Sequence, residues 1–80
     1  MPKSLRSPRQ VLLQALLIEA RKGKGLTQAD VAGALGKPQS YVAKYENGER
    51  RLDVVELIDI TMVLNISVAD VLYRLQMLPH

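Results

Sequence analysis

Apolar residues recur along this chain at spacings of three and four, and a residue able to cap a helix stands before each such run. Leu13, Leu16, Leu17 and Ala20 share a face that Leu12 and Ile18 broaden, which is the period of a helix burying one side. It opens at Ser7-Pro8-Arg9-Gln10, a serine cap with proline first and glutamine third. The pattern predicts a helix over about residues 7 to 22, ended by the turn Gly23-Lys24-Gly25.

Two short helices follow. Thr27 and Asp30 form a start signal in which the hydroxyl accepts from an orphan N–H and the acid reaches back. Val31, Ala32 and Leu35 point inward, and Gly36 ends the helix where a positive φ is needed. Pro38 is expected at the first position of the next helix, with Val42 and Tyr45 on its core face and Gly48 closing it. Asp53 to Glu56 is a third start signal. The helix it opens is expected to turn Val54, Leu57, Ile58, Thr61 and Leu64 to one side, with Val55 and Met62 beside them and Asn65 as the stop. Ser67 to Asp70 opens the last helix, about 67 to 78, carrying Val68, Val71, Leu72 and Leu75. Five helices, no strands and no internal repeat make an all-α domain over residues 7 to 80, preceded by a loose basic arm over residues 1 to 6.

Eighty residues make one small domain, and with no cysteine and only three tyrosines as aromatics its core is aliphatic. No run approaches the roughly 18 apolar residues of a membrane span, and the N-terminus has no apolar signal core, so a cytoplasmic protein is expected. Charge is unevenly spread. Residues 1 to 51 hold ten Lys/Arg against four Asp/Glu, or +6, and residues 52 to 80 hold one against four, or −3. A basic front half suits a polyanion, although an ordinary solvated surface also accommodates it.

The outer face of the third helix sharpens that choice. Gln39, Ser40, Ala43, Lys44 and Asn47 are polar or small and nearly uncharged. A glutamine amide pairs bidentately with adenine, a lysine donates to guanine, and small Ser40 and Ala43 admit the backbone to a groove. A merely solvated helix face more often uses Glu and Lys. Gln28, in the first turn of its own helix, stands where N–H groups and the helix dipole favour an anion. Tyr41, Arg50 and Arg51 lie where a DNA backbone passes if the third helix enters a major groove. The two arginines have a second reading, as partners of Glu49, Asp53 or Glu56.

Thr27 to Arg50, T-Q-A-D-V-A-G-A-L-G-K-P-Q-S-Y-V-A-K-Y-E-N-G-E-R, resembles the helix-turn-helix domain of phage-repressor and Cro-like regulators, of the xenobiotic-response-element type. The likeness extends over roughly Val11 to Leu75. Lys37 departs from it, since many members place an apolar residue after the turn glycine, and its stem is expected to cover the core edge. The resemblance implies a prokaryotic or phage regulator of lambda-repressor-like fold whose third helix enters the major groove. By position it implies base contacts from Gln39, Ser40 and Lys44, and backbone contacts from Gln28 and Tyr41. Asn47 matches a place near the phosphates or the turn.

One reading helix covers too few base pairs for useful specificity, so a homodimer on a palindromic operator is expected, its reading helices about 34 Å apart. Val68, Val71, Leu72, Leu75 and Leu78 are the expected interface, with packing of the tail onto the first helix as the alternative. A repressor is the leading function. The competing one is an antitoxin or protein-interaction module whose apolar tail holds a partner. An enzyme, metal, cofactor or small-molecule site finds no support: the lone histidine is His80 and the carboxylates are mostly helix caps.

Overall fold

The structure, a computed structural model, describes residues 7–78, so the expected arm over residues 1 to 6 lies outside the described residues. Five helices and no strand are found among them: α1 Pro8–Gly23, α2 Gln28–Leu35, α3 Gln39–Glu46, α4 Val54–Leu64 and α5 Val68–Met77. Ser7 caps α1 by accepting from the Gln10 N–H, and Thr27 with Asp30 and Asp53 with Glu56 form complete two-way capping boxes. Ser67 accepts from the Asp70 N–H at the start of α5.

The helix ends repeat one device. At Gly36, φ is +70°, and the Lys37 N–H turns back to the Ala32 carbonyl at 2.9 Å, closing the six-residue loop of a Schellman motif. The same closure joins Leu26 to Arg21, Glu49 to Lys44 and Ile66 to Thr61. In the last case Asn65 takes the left-handed conformation, at φ 57°, which short polar side chains tolerate better than most. Pro38 is shifted by one residue from expectation. Its ψ of 156° is extended, so it stands as the cap residue while the helix begins at Gln39, and its carbonyl accepts from the Tyr41 N–H.

α2 packs on α3 and α4, while α1 packs on α3, α4 and α5. Leu17, Val31, Val42, Tyr45, Ile60 and Leu64 are almost fully enclosed at the centre. Ala32 is buried where α2 meets its neighbours, as a small residue at a close crossing requires. Tyr41 and Tyr45 meet edge to face, their centroids 5.7 Å apart.

The expected inward face of α4 was partly wrong. Leu57, Thr61 and Leu64 are buried, but the fourth inward residue is Ile60, at 0% exposure. Val54 is 65% exposed and Ile58, Val55 and Met62 are exposed as well. The helix is apolar on nearly every side, so periodicity names several possible faces, and the packing of α1, α2 and α5 selects one. Ile60→Ala is therefore expected to destabilise the fold by about 2 to 5 kcal/mol in urea unfolding. Val54→Ala should stay within about 0.5 kcal/mol, and the reverse ranking would refute this face assignment.

Candidate nucleic-acid interface

α3 presents two chemically different sides. Val42, Tyr45 and Glu46, at spacings of three and one, are buried, whereas Gln39, Ser40 and Lys44 are exposed. The buried acid has a defined partner. Arg21 of α1 donates from Nε to Glu46 Oε2 at 2.7 Å and from Nη2 to Oε1 at 3.0 Å, and its Nη1 reaches the Leu26 carbonyl at 3.0 Å. The Arg21 side chain is 11% exposed and that of Glu46 5%, so the forked pair is shielded from water. Its bond to Glu46 raises the Arg21 pKa. Gln14 adds a bond from Nε2 to the Glu46 carbonyl at 3.1 Å.

The pair reaches the exposed side of α3 through two amides. Gln28 Nε2 donates to Glu46 Oε1 at 3.0 Å, and Gln39 Nε2 donates to Gln28 Oε1 at 3.0 Å. An ionised carboxylate only accepts, so Gln28 must turn its NH2 inward and its oxygen towards Gln39, which must answer with an N–H. Gln39 therefore keeps its own oxygen and its second N–H for whatever lies in front of α3. Amide orientation at the surface is set by a buried charge one residue pair away.

Along the flank, Ser40, Tyr41, Lys44, Arg50 and Arg51 line a shallow hollow with Pro38 and Glu49. The Arg50 guanidinium lies 5.0 Å from the Tyr41 ring centroid, and the Lys37 ammonium 5.4 Å from the same centroid. Lys37, expected over the core edge, is exposed and uses this ring instead. Burial raises the Tyr41 phenol pKa, with the Glu56 carboxylate adding to it. The two arginines divide: Arg50 pairs with Glu56, while Arg51 is exposed and makes no ion pair among the described residues. Asn47 accepts from the Glu49 N–H and donates to its carboxylate, both at 3.1 Å, which pins the turn after α3.

Of the expected site residues, Gln28, Gln39, Ser40, Tyr41, Lys44, Arg50 and Arg51 thus come together on one side of α2 and α3. Arg21, Gln14 and Glu46 were not foreseen. The signal was present, because an acid at position 46 continues the inward series of Val42 and Tyr45, and such an acid demands a buried cation.

The opposite end distributes its apolar residues differently from expectation. Val71 is buried in the protomer's own core, and Val68 and Leu75 pack partly against that core. Arg9 Nε donates to the carbonyls of Leu75 at 3.0 Å and Leu78 at 3.2 Å, fastening the tail to α1. Leu72 is 42% exposed, and Tyr73 and Met77 are open as well.

Two short helices joined by a glycine turn, the second offering a polar face beside basic residues, define a DNA-binding helix-turn-helix domain. A helix-turn-helix family model matches residues 17–71. The chain belongs to this family, the Cro/C1-type helix-turn-helix proteins. An XRE-family-like protein from Pseudomonas syringae pv. tomato str. DC3000 is 44% identical, with TM-score 0.83 over 89% of this chain and 88% of that one. The restriction-modification controller protein C.AhdI from Aeromonas hydrophila is 31% identical, with TM-score 0.72 over 78% of this chain and 94% of its own. The clp gene regulator ClgR from C. glutamicum is 28% identical, with TM-score 0.77 over 89% of this chain and 92% of its own. No curated protein matches the chain. The chain is a DNA-binding regulator of XRE type. No helix among the described residues is long and apolar enough to cross a membrane.

Removing one partner of a buried pair leaves the other charge stranded. Glu46→Ala is expected to cost about 3 to 5 kcal/mol in denaturant unfolding, and adding Arg21→Met to restore part of it. A loss under about 1 kcal/mol for the single variant would show that the pair behaves as an exposed one.

Proposed function

We propose that this protein is a cytoplasmic, non-enzymatic repressor that binds a palindromic operator as a homodimer, with α3 of each protomer in the major groove. The observation that carries this reading is the Gln39 amide, oriented from behind by Gln28 and Glu46 and open in front. Its free oxygen and N–H match the N6 donor and N7 acceptor of adenine. Ser40 and Lys44 stand beside it as the remaining base contacts, Lys44 suited to guanine. Gln28 retains a second N–H at the start of α2 for a phosphate, and Tyr41, Asn47, Arg50 and Arg51 complete the backbone contacts. Lys3 and Arg6, which lie outside the described residues, add positive charge to the basic part of the sequence. No cofactor, metal or small-molecule ligand enters this function.

The dimer surface follows from what the protomer leaves uncovered. Val71, Val68 and Leu75 serve mainly the protomer's own core, so the contact centres on Leu72, with Tyr73 and Met77 beside it on α5 and Leu78 at its end. The exposed Val54, Val55, Ile58 and Met62 of α4 supply further apolar surface for a second copy. That C.AhdI and ClgR are named as a controller and a gene regulator supports regulation as the purpose of binding.

Selection from a random duplex pool should return an enriched palindrome containing adenine at the Gln39 position. Gln39→Ala is expected to relax that preference at a cost of about 1 to 3 kcal/mol, whereas Arg51→Ala should weaken all sequences alike and flatten the salt dependence by about one unit of slope. Equal effects of the two substitutions on every sequence would refute the division into base and backbone contacts. In sedimentation, Leu72→Asp should halve the mass of the wild-type particle. A wild-type protein that already sediments as a monomer, or that is recovered bound to an unrelated protein, would favour the interaction-module alternative.

A further inference from the structure

Arg50 stands at the edge of the proposed DNA interface with its charge already engaged. Its Nη2 donates to Glu56 Oε2 while its guanidinium lies over the Tyr41 ring. Glu56 is itself anchored, since its Oε1 accepts the Asp53 N–H at 3.0 Å and its own N–H donates to Asp53 Oδ1 at 2.7 Å. These bonds hold the Glu56 pKa below the usual carboxylate range, the Asp53 N–H first and Arg50 after it. The carboxylate thus presents an anionic oxygen to Arg50 in the manner of a phosphate. The pair lies at the rim, its side chains 42% and 22% exposed, where ion pairs are weak and exchange readily with solvent. Neighbouring Arg51 makes no ion pair among the described residues.

We propose that Glu56 is an affinity-limiting residue, an internal anion that holds Arg50 across Tyr41 and that a DNA phosphate must displace. This rests on the DNA-binding reading above. Once displaced, the Glu56 carboxylate stays fixed at the start of α4 by the capping box, placed to recapture Arg50, so the cost of freeing that arginine falls on every sequence equally. Freed of Arg50, the carboxylate takes up a solution cation, which offsets the counterion that the Arg50 contact releases. Background binding falls while the difference between right and wrong bases is untouched. Glu56 thus limits affinity for every duplex and leaves the ratio between right and wrong sequences unchanged.

The test is fluorescence anisotropy of a labelled random-sequence duplex at about 50 to 200 mM salt, with wild type, Glu56→Gln, Arg50→Ala and the double variant. Glutamine keeps the capping box, because its oxygen still accepts the Asp53 N–H. Glu56→Gln should bind roughly three- to tenfold tighter with a salt slope steeper by about one, and the gain should vanish in the Arg50→Ala background. If wild type binds and Glu56→Gln binds equally or more weakly, Glu56 positions Arg50 for phosphate and the proposal is overturned. A gain of equal size without Arg50 would overturn it too, showing only the loss of one negative charge. Wild type that binds no duplex even at the lowest salt would instead overturn the DNA-binding reading itself.

Discussion

Glu46 holds a charge inside a domain whose core is mainly apolar, and the position of α3 depends on how that charge is satisfied. Desolvating a carboxylate and a guanidinium costs more than a single contact returns, so such a pair persists only with good geometry and further hydrogen bonds. Here Arg21 grips both carboxylate oxygens and the Leu26 carbonyl, and Gln28 supplies a further donor. Gln14 holds the Glu46 backbone from the same helix that carries Arg21. Three segments are tied at one point: α1, the first turn of α2 and the last turn of α3. A forked ion pair adds a directional constraint to this packing, because its two hydrogen bonds fit one register.

That constraint reaches the surface because amides are asymmetric. A chain of acceptor, donor, acceptor and donor runs from Glu46 through Gln28 to Gln39, and reversing either amide would set two like groups face to face. The exposed face of α3 is ordered from beneath, which leaves Gln39 less side-chain freedom. The flank is built on another principle. Arg50 and Lys37 lie over the Tyr41 ring and Arg50 pairs with Glu56, at a rim where ion pairs are weak. A rigid centre thus lies beside a looser, more exposed rim.

The apolar surface shows a similar division. α5 is amphipathic and commits Val71 to the core, which leaves Leu72, Tyr73 and Met77 outside. α4 is apolar nearly all round, and burying Leu57, Ile60, Thr61 and Leu64 necessarily exposes Val54, Val55, Ile58 and Met62. A small domain has too little interior for all of its aliphatic side chains. Apart from Val11 on α1, the exposed large aliphatic side chains among the described residues lie on the two C-terminal helices, in the acidic part of the chain.

Helix number, helix ends and the core face of α1 to α3 were legible in the sequence, because caps, Schellman turns and amphipathic stripes are local and each is written within a few residues. The polar face of α3 was legible for the same reason. Pro38 missed by one residue, since proline's fixed φ serves a cap as well as a first turn, and only ψ separates them. What the tertiary structure alone decided was every choice between equivalent partners: which side of an apolar α4 turns inward, which of Arg50 and Arg51 meets Glu56, and which residues of α5 belong to the protomer. It also joined Arg21 to Glu46 across 25 residues. Local free energies specify where a helix begins and ends, but the rotation of one helix against another and the pairing of distant charges depend on distances that exist only once the chain has packed.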